Sequence, residues 1–118
     1  MSTNSYIAYY NEATGKVVAT YCHYDGYIEC NGKILADNYN DQYSAEAVAS
    51  GGYYSALYET IGESVAKSVH SEDPMEFDSI EGLIAELADC PFIEYAYLWV
   101  EGQWFVLSSQ HRVYSVAA

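Results

Sequence analysis

The sequence predicts an α+β fold in a single domain: two β-hairpins, about residues 5–23 and 92–109, joined in one antiparallel sheet, with two to four short helices inserted between them. Three observations predict it. Segments rich in β-branched and aromatic residues, bounded by turn formers, lie near both ends of the chain. The stretches between them carry apolar residues near helical spacing. A chain of 118 residues, 51% of them hydrophobic, suffices for one core and has no length to spare for a second.

The first hairpin is read from "SYIAYY" (5–10) and "KVVATYCH" (16–23), joined by the five residues "NEATG", whose last member is Gly15. In the second strand Val17, Ala19, Tyr21 and His23 alternate with Val18, Thr20, Cys22 and Tyr24, and both sets are partly apolar, so one face should lie under helices. "IECNGKILADNY" predicts a short helix over about 29–38, with Ile28, Ile34, Leu35 and Tyr39 on its apolar side and Gly32 weakening it. A second helix follows, with Asp41 as its N-cap and Gly51-Gly52 as its stop. From 53 to 69, Tyr54, Leu57, Tyr58, Ile61, Val65 and Val69 fit a helical stripe, although Gly62 and several Ser and Thr residues also suit irregular chain. "HSEDP" (70–74) breaks the pattern at Pro74. Asp78 and Glu81 form a capping-box spacing before the stripe Ile80, Leu83, Ile84 and Leu87, and Pro91 ends that helix. "FIEYAYLWV", "EG" and "QWFVLSS" make a hairpin with Gly102 in its two-residue turn and Ile93, Tyr95, Tyr97 and Trp99 on one face.

Seventeen Asp and Glu against four Lys and Arg give a formal charge of −13, which disfavours nucleic acid and anionic membranes as direct ligands, since both require clustered cations. The imbalance is uneven. Residues 1–57 hold six acids and two lysines, a net −4, whereas residues 58–101 hold eleven acids and Lys67, a net −10. A basic protein surface is the natural counterpart of that second half, and the candidate contact residues are Glu59, Glu63, Glu72, Asp73, Glu76, Asp78, Glu81, Glu86 and Asp89. Three cysteines, Cys22, Cys30 and Cys90, with no signal-peptide pattern and no apolar run of membrane-spanning length, fit a reducing cytosol. They read as small buried apolar residues, since nothing basic surrounds Cys30 or Cys90 to lower a thiol pKa.

The chemically dense stretch is "YCHYDGYIEC" (21–30). Asp25-Gly26 between a strand and a helix pattern predicts a tight corner, with Gly26 in a backbone conformation closed to other residues, Asp25 bonding neighbouring amides, and Tyr24 and Tyr27 packed beneath. His23 and Asp25 are also a candidate base and orienter, or, with Cys22 and Cys30, a candidate metal site. Their spacing matches no standard zinc pattern, so the expectation is no metal and no cofactor. His70 and His111 are expected in solvent. The sequence contains no G-x-S-x-G, P-loop or dinucleotide-binding glycine pattern.

"CHYDGYIECNGKIL", together with the closing "EYAYLWVEGQWFVLSS", resembles a signature of small phage and prophage proteins. In that signature Trp usually stands at the position of Tyr24, and a Pro follows the position of Tyr27; both are departures here. The resemblance covers the first forty and last twenty-five residues and is loose over 40–90. It implies a phage origin and a host-cell cytosol, and brings no assigned activity.

The leading expectation is therefore a non-catalytic, acidic, phage-type inhibitor or decoy. Its carboxylates would stand in for backbone phosphates on the basic, nucleic-acid-binding surface of a host enzyme or defence complex. Tyr would serve such contacts, offering area and a hydroxyl at low entropic cost. The alternative is a binding module in which Tyr21, His23, Tyr24, Asp25 and Tyr27 close over a flat, nucleotide-like ligand; an acidic chain is a poor phosphate trap unless Lys33 and Arg112 converge there. A small hydrolase or metalloprotein using His23 and Asp25 comes third. The oligomeric state is left open, a homodimer included.

Overall fold

The computed structural model describes residues 3–69, 71–90, 92–108 and 113–115, so His70, Pro91, His111 and Arg112 lie outside the described residues. The expected α+β architecture is present, with one sheet between two helical layers. Strands β1 (Asn4–Asn11) and β2 (Lys16–Cys22) form the first hairpin, and α1 (Lys33–Asn38) follows, entered through a wider π turn at Ile28–Gly32. Next come α2 (Gln42–Ala49), β3 (Tyr53–Tyr54), α3 (Ile61–Ala66), β4 (Met75–Phe77) and α4 (Ile80–Asp89). Strands β5 (Ile93–Val100), β6 (Gln103–Ser108) and β7 (Val113–Ser115) complete the sheet.

The sheet is mixed, which corrects the expectation of an all-antiparallel one. The order is β3-β2-β1-β5-β6-β7, and the two hairpins meet through a parallel pairing of β1 with β5. A parallel neighbour requires a long crossover, and the helical insertion between the hairpins supplies it. Strand β3 also runs parallel to β2 at Tyr21 and Cys22, while β4 pairs antiparallel with the other end of β2, at Val17 to Ala19. The two short strands thus share one edge.

Central strands buried on both sides explain why both faces of β1, β2 and β5 are apolar. One face, with Ile7, Tyr9, Cys22, Tyr97, Trp99, Trp104 and Val106, packs under α1 and α2 through Leu35, Ala45, Val48 and Ala49. The other, with Tyr6, Ala8, Val17, Ala19, Ala96 and Leu98, packs under α4 through Leu83 and Leu87. Ile93 belongs to this second core, not to the face of Tyr95, Tyr97 and Trp99. The pairing with β1 slips by one residue between Ile93 and Tyr95, and such an irregularity reverses the facing of everything before it.

Local signals fare well where a cap or turn defines them. The Asp41 carboxylate accepts from the Ser44 amide at 2.8 Å, capping α2 as expected. Glu101 and Gly102 both have positive φ, 49° and 85°, as a type I′ hairpin turn requires. Asn11 pairs with Lys16, so the first hairpin loop is one residue shorter than expected. The cap of α4 is Ser79, whose hydroxyl accepts from the Gly82 amide at 3.1 Å; Asp78 stands one residue outside.

The helical stripe expected over 53–69 does not form as one element. Tyr53-Tyr54 is strand, α3 covers only Ile61–Ala66, and Val65 and Val69 are exposed. Serine hydroxyls provide the reason: Ser68 accepts from the Ser55 amide at 3.1 Å, Ser64 from the Tyr58 amide at 2.9 Å, and Ser55 from the Val69 amide at 2.9 Å. Side chains that bond the backbone in this way stabilise irregular chain against a helix. Neither β4 nor β7 was anticipated.

Candidate functional site

The corner at 21–27 is built where β2 leaves the sheet. The His23 amide donates to the Tyr54 carbonyl at 3.0 Å and the Tyr24 amide to the Ser55 carbonyl at 2.8 Å, which carries the parallel pairing past the end of the strand. The chain then reverses through Asp25, whose φ is 59°. Gly26 does not occupy the left-handed region, contrary to expectation. It is required for space: a Cβ there would stand 2.7 Å from the Thr3 carbonyl oxygen and 2.8 Å from Ser5 Cβ. Its amide donates to that Thr3 carbonyl at 2.9 Å, and its own carbonyl accepts from Tyr97 Oη at 2.6 Å, so the corner is bolted to β1 and β5.

Tyr24 and Tyr27 are not packed beneath the corner. They are 49% and 41% exposed, and the side of the corner that faces inward is held by Cys22 and Asn31 instead. Asn31 Nδ2 donates to Ser5 Oγ at 3.3 Å and to Cys22 Sγ at 3.4 Å. Burial pushes the Cys22 thiol up to about 11, and the Cys30 thiol is raised by burial and by the Asp25 charge. Cys90 is raised too, chiefly through its contact with Glu86. None of the three is poised as a thiolate at neutral pH.

His23 and Asp25 do not form the candidate base-and-orienter pair. His23 Nδ1 lies 2.8 Å from Tyr21 Oη, the Tyr24 ring meets the imidazole edge-on at 4.4 Å, and Asp25 is exposed, its carboxylate accepting no hydrogen bond among the described residues. Asp25 acts instead as a charge beside Tyr27, whose phenol it raises. Among the described residues no group of three or more His, Cys, Asp or Glu could hold a metal ion. No helix among them is long and apolar enough to cross a membrane.

What the fold assembles is a row of tyrosines. Tyr6, Tyr21 and Tyr53 face one another across β1, β2 and β3 in direct register. The Tyr21 ring lies 5.7 Å from Tyr53 and 6.4 Å from Tyr6, the latter edge-on. His23 and Tyr24 extend the row past the end of the sheet. A carboxylate stands at either side. Glu86 accepts from Tyr6 Oη at 3.1 Å and from Cys90 Sγ at 3.2 Å. At the other side the Glu72 carbonyl lies against Gly52, which leaves room only for hydrogen, and the Glu72 charge adds to the burial that raises the Tyr21 phenol. Tyr6 and Tyr53 were absent from the sequence-derived site. Neither was legible: the expected five-residue loop sets Tyr6 opposite Thr20, and only the tighter pairing of Asn11 with Lys16 brings it to Tyr21, while nothing local marks the two-residue parallel strand of Tyr53.

Of the nine acidic candidates, eight are exposed and Glu86 is half-buried. Glu63 pairs with Lys67 at 3.1 Å, both well exposed, an arrangement worth little. The set follows α3, the 71–74 segment, β4 and α4, which line the β3/β4 edge of the sheet and the face above it. Lys33, which a phosphate ligand would need beside the corner, pairs instead with Asp37 at 3.0 Å along α1. Three further tyrosines are structural. Tyr39, Tyr54 and Tyr97 are buried and each donates its hydroxyl to a backbone carbonyl, of Tyr58, Val48 and Gly26 respectively.

No family model matches the chain, and comparisons with curated proteins and with solved structures likewise find no match.

Proposed function

We propose that the protein is a non-catalytic acidic inhibitor of phage type, acting in the host cytosol, that covers a basic, nucleic-acid-binding surface of a host enzyme or defence complex. One observation carries the reading: the acidic segment at Glu72 runs beside the Tyr21–Tyr53 row, so aromatic contact area and an acidic stretch of surface adjoin. Tyrosine anchors ringed by charge are the usual composition of an interface centre and its rim. The net charge of −13 would steer a basic partner toward that edge and speed association.

Many weak contacts, not one strong one, hold such a complex, because a single exposed ion pair contributes about 0–1 kcal/mol. The decisive variant is therefore a cluster: Glu72→Gln, Asp73→Asn, Glu76→Gln and Asp78→Asn together. With the partner captured from host lysate, the wild-type chain should displace nucleic acid from it and bind progressively more weakly as salt rises, while the quadruple variant folds normally and binds at least about tenfold more weakly. Equal affinities with a flat salt response would refute the decoy mechanism.

A second reading is favoured by the exposed rings of Tyr24 and Tyr27 and by the Tyr21–His23 contact, which together offer stacking surface to a flat, nucleotide-like ligand. Titration of nucleotides against tyrosine fluorescence would support it if quenching saturates and is lost in Tyr24→Ala.

A further inference from the structure

On the α4 face of the sheet, a groove of about 230 Å³ opens between the first turns of α4 and the β5–β6 hairpin. Ile80 and Ile84 form one wall, and Leu98, Val100, Phe105 and Leu107 form the other. Four of these six, Ile80, Ile84, Val100 and Phe105, are only half-buried, so hydrocarbon that the core does not use remains in reach of solvent. The cause is geometric. Leu83 and Leu87 seat α4 over the inner strands, and the sheet continues past the helix into β6. We infer that this groove is a docking site for the apolar side chain of a basic amphipathic segment of the protein's partner, a proposal that rests on the partner being basic and adds where its apolar anchor goes.

The occupant follows from chemistry. Among the described residues no polar group lines the groove, and its volume falls below the roughly 300–1,000 Å³ of small-molecule sites, so it suits one or two hydrocarbon side chains. Among the described residues beside it in the chain, the charge has one sign. Asp78 and Glu81 flank Ile80 along the chain, Glu101 follows Val100, and all three are exposed, while residues 68–108 contain no Lys or Arg. An anionic lipid surface would be repelled, and a second copy of this chain would bring another −13. A segment with Leu, Ile or Phe at helical spacing and Lys or Arg between them satisfies both features at once, the apolar residue supplying affinity and the cations supplying rate and selectivity.

The test uses the full chain and three synthetic peptides of equal length: an amphipathic Leu/Lys helix former, an oligolysine of the same charge, and a Leu/Gln peptide of the same pattern. The Leu/Lys peptide should bind at least about tenfold tighter than either control. It should also shift the methyl resonances of Ile80, Ile84, Leu98, Val100 and Leu107. Ile84→Lys, and separately Ile84→Trp, which fills the groove without adding charge, should remove that advantage while thermal melting reports an intact fold. Equal binding of Leu/Lys and oligolysine would overturn the groove and leave the basic-partner reading standing. Binding of Leu/Gln as tight as Leu/Lys would overturn the charge requirement, and absence of binding by every peptide would overturn both. Concentration-dependent dimerisation lost in Ile84→Lys would assign the groove to a second copy instead.

Discussion

Replacing Gly26 by Ala adds one methyl group at the most constrained point of the structure. The new Cβ would stand 2.7 Å from the Thr3 carbonyl oxygen and 2.8 Å from both Ser5 Cβ and Ser5 Oγ, and β1 cannot withdraw because it is paired on both sides, with β2 and β5. The corner must move instead. Overpacking of this kind costs about 1–3 kcal/mol. The movement also loosens two hydrogen bonds, Gly26 amide to Thr3 carbonyl at 2.9 Å and Tyr97 Oη to Gly26 carbonyl at 2.6 Å, each worth about 1 kcal/mol. The expected loss is roughly 2–4 kcal/mol, or a fall in the urea midpoint of about 1–3 M at a typical slope for a small domain. Gly62→Ala is the internal control. Gly62 lies in α3 with negative φ and open space around it, so the same chemical change should stabilise the protein by about 0.5–1 kcal/mol. Urea unfolding followed by tyrosine and tryptophan fluorescence measures both. An unchanged midpoint in Gly26→Ala would show that the close approach to β1 is not real and that the corner is held some other way.

Two further outcomes follow from caps and burial. Ser79→Ala should cost about 1 kcal/mol by removing the cap from the Gly82 amide, whereas Asp78→Ala should leave the melting temperature unchanged; the reverse order would restore Asp78 as the cap. The Cys22 thiol is pushed from 9.0 up to about 11 by burial, so the proton it keeps in the folded state contributes stability that is fully present below pH 9 and is lost as pH rises through 11. Buried Tyr6, Tyr54 and Tyr97, all raised for the same main reason, add to that alkaline loss. The urea midpoint of the wild type should therefore fall across this window, and Cys22→Ala should fall less steeply; parallel curves would mean that Cys22 is not the titrating group.

Features whose physics is local were determined by the sequence. The Asp41 cap, the first hairpin, the Glu101-Gly102 turn and the apolar stripe of α4 each depend on residues within a few positions of one another, and all are present. The α+β class followed from those pieces. Everything that required choosing a neighbour was decided by tertiary packing. Alternation along β1 and β5 shows that both faces are buried, but it is the same for a parallel and an antiparallel neighbour, so the joining of the hairpins could not be read. Two- and three-residue strands such as β3 and β4 carry too few positions for a period to register. Gly26 reads in sequence as a turn residue, whereas its necessity comes from Thr3 and Ser5, more than twenty residues away. The tyrosines make the same point most directly: composition marks them as abundant, and only the fold separates Tyr39, Tyr54 and Tyr97, whose hydroxyls satisfy buried carbonyls, from Tyr24 and Tyr27, which remain in reach of a partner. A phenol has the same chemistry in both settings, and the free energy of burying it depends on whether an acceptor waits for the hydroxyl, which only the assembled chain can provide.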